Sequence, residues 1–161
     1  MEALYCSVIK SPVGTITIFA DDEYITEITF SDKDNKGMEA NQWTAAAALQ
    51  LLQYFEGTLQ HFIFPVKQSG TEFQQQVWQS LLNIPYAETI SYAKFSASAP
   101  LAIRAMAAAN GKNKLAIVIP CHRVIGSDGK LVGYAGGLWR KKWLLQHERE
   151  IAQKGQTELK F

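Results

Sequence analysis

Two cysteines in 161 residues leave covalent and metal-based architecture little to work with. Cys6 and Cys121 stand far apart in unlike settings, so no structural disulfide is expected. No CxxC pair occurs, which removes the usual cysteine frame of a zinc site. No apolar run approaches the roughly 20 residues a bilayer-spanning helix needs, so no membrane partner is expected. Residues 1–10 carry no signal-peptide pattern, and a cytoplasmic location, or a nuclear one in a eukaryote, is the expectation. No internal repeat or low-complexity tract is visible, which sets solenoids and linker-like chains aside.

What is present is ordinary for a soluble globular chain: 47% hydrophobic and 19% charged residues, long enough for one domain or two small ones. The net charge of +1 excludes nothing, but its distribution is uneven. Residues 1–85 hold 4 basic and 10 acidic side chains, and residues 86–161 hold 12 basic and 5 acidic. A basic C-terminal half suits a polyanionic partner; solvated surface charge accounts for the asymmetry equally well.

Residues 3–9, 15–20 and 24–30 are rich in Ile, Val, Thr and aromatics and are separated by Ser11-Pro12-Val13-Gly14 and Asp21-Asp22-Glu23, which predicts an antiparallel meander. The polar stretch 31–40 reads as a loop. Residues 44–56 carry apolar side chains at helical spacing and stop at Gly57. Residues 61–67 read as a short extended run, and Gln68-Ser69-Gly70 as a domain boundary. This gives an N-terminal α/β unit over 1–68 and a C-terminal unit over 69–161. In the latter, 71–82 predicts an amphipathic helix capped by Ser69 or Thr71 and ended by Pro85. Residues 91–96 predict a short helix, Ser98-Ala99-Pro100 a turn, and 101–109 an alanine-rich helix closed by Asn110-Gly111. Helix, turn, helix is the layout of a DNA-reading motif. Residues 115–119 read as a buried strand, a glycine-punctuated loop follows, and 138–153 reads as a last helix with Arg140, Lys141 and Lys142 on its first turns.

The chemistry concentrates at Ile119-Pro120-Cys121-His122-Arg123-Val124. A lone cysteine follows an apolar run, with His and Arg beside it. The thiolate is the nucleophilic form of cysteine, and nearby positive charge favours it. A lone buried cysteine is more often an inert small hydrophobe. In extended backbone Cys121 and His122 would face opposite sides, so a turn after Pro120 or a bridging water has to connect them. A histidine base needs an orienting carboxylate, and Glu148 is a candidate on chemistry alone. Tyr92, Arg104, Asn113 and Tyr134 stand out by type, each as readily structural as functional.

Taken together, Arg104, Asn113, Pro120 to Val124, Gly129, Gly133-Tyr134, Gly136-Gly137-Leu138, Trp143-Leu144-Leu145 and His147-Glu148 closely resemble the O6-alkylguanine-DNA alkyltransferases, also called methylated-DNA–protein-cysteine methyltransferases. Phe73-Gln74-Gln75, Val77-Trp78, Ile84-Pro85-Tyr86 and Glu88-Thr89-Ile90-Ser91-Tyr92 look like that family's upstream signature. The resemblance is continuous over residues 71–148 and weaker before them, where Ser11-Pro12-Val13-Gly14 is the best match.

The resemblance implies an α/β chain with a small ribonuclease-H-like antiparallel-sheet subdomain and a mostly helical, winged helix-turn-helix subdomain. It implies stoichiometric repair of O6-alkylguanine, and of O4-alkylthymine, in double-stranded DNA, by a monomer that needs no cofactor and no metal. The helix-turn-helix would enter the minor groove, and the damaged base would rotate out of the stack. Arg104 would fill the vacated space, with Ala105 and Ala107 allowing close approach. Tyr92 would crowd a phosphate and present its hydroxyl to the base. Cys121 would attack the alkyl carbon, with His122, through water and backed by Glu148, taking the thiol proton. Asn113 would hold the turn. The carbonyls of Cys121 and Val124, the Ala135 N–H and the Tyr134 ring would seat the base, and Arg123 and Ser127 would join the DNA-contacting set. Three departures stand out: Ala107-Ala108 where many members have Gly-Gly, Lys114 where many have proline, and a shorter stretch between Tyr92 and Arg104. Cys6 and His61 do not form the N-terminal zinc set of some relatives. The presence of Cys121 argues against a non-catalytic lesion sensor. Two cysteines argue against a zinc-bearing methylation-responsive regulator. The adjacent Cys-His pair suits a cysteine hydrolase poorly.

Overall fold

β-branched and aromatic residues alternate at the start of the chain, and they form three strands, β1 (Tyr5–Ser11), β2 (Gly14–Ala20) and β3 (Ile25–Thr29). The computed structural model describes residues 3–31, 34–96, 103–126, 129, 131 and 133–158, the last four by backbone alone. The strands pair antiparallel in the order β1-β2-β3, with Cys6 opposite Phe19 and a bulge between Phe19 and Ala20. Ile16, Thr17, Ile18, Phe19 and Ala20 are all buried, so the central strand is covered on both faces.

Helix α1 (Gln42–Glu56) is bounded at both ends by local chemistry. Asn41 and Thr44 form a capping box, and Gly57 takes the left-handed conformation at φ 85 that a C-cap requires. Its buried residues Thr44, Ala47, Leu51 and Tyr54 recur every three or four positions, and the helix packs on β1 and β2. Residues 61–67 form no strand. Val66 instead bridges Ile25 in parallel, fixed by Ile25 N–H to Pro65 O and Lys67 N–H to Ile25 O.

Met1–Ser69 and Lys114–Val118 form one compact unit; Gly70–Asn113 and Ile119–Phe161 form the other. The excursion 114–118 corrects the expected strand over 115–119. Leu115 makes one parallel bridge to Ile28, held by Ile28 N–H to Lys114 O and Ala116 N–H to Ile28 O. The chain then doubles back, with Val118 N–H on Ala116 O and Ile117 at φ 70. The apolar run is a buried turn, which hydrophobicity alone does not distinguish from a strand.

The second unit holds α2 (Glu72–Leu81), β4 (Ile90–Ser91), α3 (Tyr92–Phe95), α4 (Ile103–Gly111), a 3-10 turn (Cys121–Arg123), β5 (Val124–Ile125) and α5 (Leu138–Glu158). Thr71 and Gln74 form the capping box that starts α2. Trp78 on α2 is buried and its Nε1–H donates to Ala109 O at 2.9 Å, which fixes the C-terminal end of α4. A Cβ at residue 70 would fall 2.5 Å from the Trp78 ring, so only glycine fits there. Helix α4 packs on α2 and α3 and runs through Asn110 and Gly111 instead of closing before them. The Ser98-Ala99-Pro100 turn and the expected helix start at 101–102 lie outside the described residues. β4 and β5 pair in parallel and bring Tyr92, next in the chain after Ser91, to the strand that follows the Cys121 turn. Helix α5 buries Lys141, Leu144 and Glu148 completely, a stripe at i, i+3 and i+7 that carries two charges.

Candidate active site around Cys121

Proline sets the backbone that presents Cys121. Pro120 lies at φ −81 and ψ 61, and the Cys121 N–H reaches back to Ile119 O at 2.8 Å, an inverse γ-turn. Arg123 N–H then bonds Pro120 O and Val124 N–H bonds Cys121 O, which winds residues 121–123 into the 3-10 turn. Cys121 and His122 therefore do not lie on opposite faces of a strand, as extended backbone would require. Asn113 supports the turn from the side, its Nδ2 donating to Ile119 O at 2.9 Å and its amide hydrogen-bonding the Cys121 thiol.

Cys121 is 6% exposed and lines a cavity of about 350 Å³, inside the range of small-ligand sites (~300–1,000 Å³). Tyr92, Ala107, Asn110, Gly111, Gly133, Tyr134 and Ala135 complete the wall. Burial pushes the Cys121 thiol up, and the Asn113 hydrogen bond and the positive charge of Lys141 oppose that rise. The Lys141 Nζ donates to Gly133 O at 3.3 Å; burial lowers its ammonium to about 8, against the opposing influence of Cys121.

Beneath the turn, His122 and Glu148 are both fully buried and joined by Nε2 to Oε2 at 2.7 Å. Burial works to raise the Glu148 carboxyl. His122 and Arg123 override it and hold the group well below the usual carboxylate range. Burial lowers His122 despite Glu148, and Arg123 and Lys141 add to the lowering. The ring is therefore neutral near pH 7, with its proton on Nε2 facing the carboxylate. Nδ1 is then an acceptor, and no group among the described residues hydrogen-bonds it.

Arg123 corrects its expected role. Its Nε and Nη2 donate to Glu148 Oε1 and Oε2 at 2.8 and 3.1 Å, and Nη1 donates to Ile84 O at 2.7 Å. At 7% exposure, and with its guanidinium over the Tyr86 ring, it braces the carboxylate and is not presented to a duplex. The backbone N–H of Ala87, at φ 67, adds a further bond to Glu148 Oε1 at 3.1 Å.

The remaining expected residues fall into two groups. Tyr92, Ala107, Tyr134 and Ala135 line the cavity, and Val124 is buried behind the turn with its N–H on Cys121 O. Arg104 and Ala105 are exposed on α4 and lie off the cavity wall. Ser127 lies outside the described residues. Sequence reasoning missed two residues. Asn110 read as a helix stop and is a buried member of the cavity wall. Lys141 read only as one of three basic residues on the first turns of the last helix and is buried near the nucleophile. Its i+3 and i+7 relation to Leu144 and Glu148 was the available signal.

Comparison with known proteins gives one answer along the chain. Residues 4–68 match the family described as 6-O-methylguanine DNA methyltransferase, ribonuclease-like domain, and residues 72–150 match its DNA binding domain. The methylated-DNA–protein-cysteine methyltransferase of Mycobacterium leprae is 41% identical over 153 residues, covering 91% of this chain and 93% of that one. Its counterpart in Methanosarcina barkeri is 40% identical over 153 residues, covering 90% and 97%. The crystal structure of Mycobacterium tuberculosis OGT in complex with DNA superposes with a TM-score of 0.83 at 40% identity, covering 91% of this chain and 94% of that one.

Proposed function

The chain belongs to the 6-O-methylguanine DNA methyltransferase family, and from that membership we propose that it repairs DNA by direct reversal, moving the alkyl group of O6-alkylguanine, and of O4-alkylthymine, onto its own Cys121. The observation that carries the assignment to Cys121 is its position in a base-sized cavity beside a buried, neutral His122 held by Glu148.

The reaction is a displacement at carbon. His122 Nδ1 receives the thiol proton by way of a relaying water, with Glu148 and Arg123 fixing the ring and its tautomer. The Sγ–C bond forms as the O6–C bond breaks. The electron pair returns to the purine, which takes up one proton and is left as guanine. Lys141 favours the thiolate through space, and Asn113 holds the turn while hydrogen-bonding the thiol. Tyr134 packs against the base, and the Ala135 N–H supports the charge that develops on O6. A thioether has no route back to the thiol in this site, so each molecule acts once.

Duplex DNA is the partner. The exposed side of α4 bears Arg104, Ala105 and Ala108, a cation among side chains small enough for the helix backbone to approach the minor groove. Arg104 occupies the space that the rotated base leaves, and the protein works as a monomer. Incubation with excess duplex carrying methyl-labelled O6-methylguanine tests the reading. Label reaching one methyl per protein molecule and then stopping supports it. Continued turnover, or release of the methyl as methanol, sinks it.

A further inference from the structure

Asn110 is 4% exposed, yet it is a polar residue in the cavity wall with Tyr92 and Cys121. Its Nδ2 lies 3.0 Å from Tyr92 Oη and 3.5 Å from the carbonyl oxygen of Cys121. A carbonyl can only accept, so the amide end that faces both groups is the NH2. Tyr92 Oη is thereby an acceptor toward Asn110, and its own O–H remains to be donated elsewhere. The other end of the amide has no such use: Oδ1 is buried and has no hydrogen-bond partner among the described residues. A buried acceptor left unmatched destabilises the fold, and a leucine of nearly the same shape would avoid the loss. The side chain is thus placed for what its donor end does.

Building on the alkyl-transfer reading above, we propose that Asn110 is a positioning residue for that reaction: by donating to Tyr92 Oη it turns the phenol O–H toward the cavity as a hydrogen-bond donor to the departing base. As the O6–C bond breaks, electron density moves onto the purine, and a donor to a ring acceptor stabilises it. No proton has to leave Tyr92. Burial raises that phenol, the Asn110 bond partly offsets the rise, and the group stays protonated as a donor must. The contact to the Cys121 carbonyl ties the same amide to the turn carrying the nucleophile. The Trp78 bond to Ala109 O holds the helix end from which Asn110 projects. One side chain therefore couples the donor and the nucleophile through α4, the helix that bears Arg104.

The test is a double-mutant cycle read by single-turnover transfer from an O6-methylguanine duplex, with duplex affinity and thermal stability measured on the same proteins. Asn110→Leu is expected to slow transfer about tenfold, the scale of one hydrogen bond, with duplex affinity unchanged and Tm no lower than wild type. Tyr92→Phe is expected to slow transfer at least as much, and Asn110→Leu added to it to slow transfer no further. Asn110→Ala serves the same cycle if the leucine variant does not fold. Transfer at the wild-type rate in both Asn110 variants would overturn the proposal. So would an equal further loss in the Tyr92→Phe background, which marks a packing role. Failure of the wild-type protein to transfer methyl at all would instead overturn the repair reading itself.

Discussion

Cys6 and Cys121 are equally buried, at 7% and 6% exposure, and burial raises both thiols. Both also receive hydrogen bonds that oppose the rise, from the Ile18 backbone and Asn35 at Cys6 and from Asn113 at Cys121. The difference lies in what else surrounds them. Cys6 sits within β1 opposite Phe19, and no charged group acts on it among the described residues. Cys121 sits on a turn that opens to a cavity, with the Lys141 cation acting on it and a neutral histidine next in the chain. Burial and neutral hydrogen bonds do not make a cysteine a nucleophile. Charge, a proton acceptor and room for a substrate do.

The largest expected effect separates the two thiols. Cys121→Ala abolishes methyl uptake from an O6-methylguanine duplex, whereas Cys6→Ala transfers within about twofold of wild type in a single-turnover assay, because a small buried apolar site tolerates alanine. Uptake surviving in Cys121→Ala would end the distinction.

Next in size is the support beneath Cys121. Glu148→Gln leaves Arg123 buried without its countercharge and is expected to cost about 3–5 kcal/mol in chemical denaturation at pH 7. It is also expected to slow transfer by about 10²–10⁴, the range of a general-base contribution. The carboxyl is held low in the fold, so its stabilisation is complete above the ordinary carboxylate range and is lost as pH falls through the folded value. His122 is also lowered in the fold, so its contribution likewise fades with acid, from below its ordinary value of 6.5. Denaturation midpoints that fall less steeply with acid in Glu148→Gln than in wild type are the expected signature.

Lys141 sharpens the contrast by charge alone. Its ammonium is lowered to about 8 against 10.5, so the folded state binds protons less readily and burial of the charge costs stability at neutral pH. Lys141→Met should raise stability by about 1–3 kcal/mol while moving the pH midpoint of iodoacetamide reaction at Cys121 upward. An unmoved midpoint would mean that Lys141 does not act on the thiol. Smallest is Ala87→Gly. Ala87 holds φ 67 in order to donate to Glu148, and glycine relieves that strain for a gain of about 0.5–1 kcal/mol in chemical denaturation.

Legibility in the sequence follows the range of the interactions involved. The meander, α1 with its Gly57 cap, and α2 with its Thr71 cap rest on local periodicity and local hydrogen bonds, and they were readable. The apolar segment 115–119 was not, because a buried turn and a buried strand share one composition and only the tertiary bridge from Leu115 to Ile28 separates them. At the site, Cys121, His122, Glu148 and Asn113 were legible as a set through the family resemblance, and spacing alone left Glu148 unplaced. Arg123 was read as a DNA-contacting cation and Lys141 only as one of three basic residues on the first turns of the last helix, since sequence shows charge without burial. The first is spent on Glu148 and the second is enclosed beside Gly133. Asn110 read as a helix terminator since asparagine before glycine commonly is one, and its partner Tyr92 lies 18 positions away.

The most direct measurement is peptide mass mapping after incubation with duplex DNA carrying O6-methylguanine, with the Cys6 and Cys121 peptides followed together. The expected result is the mass of one CH2 gained on the Cys121 peptide, once per molecule, and none on the Cys6 peptide. A gain on Cys6, or lesion-dependent loss of methyl from the DNA with both cysteine peptides unchanged, would contradict it.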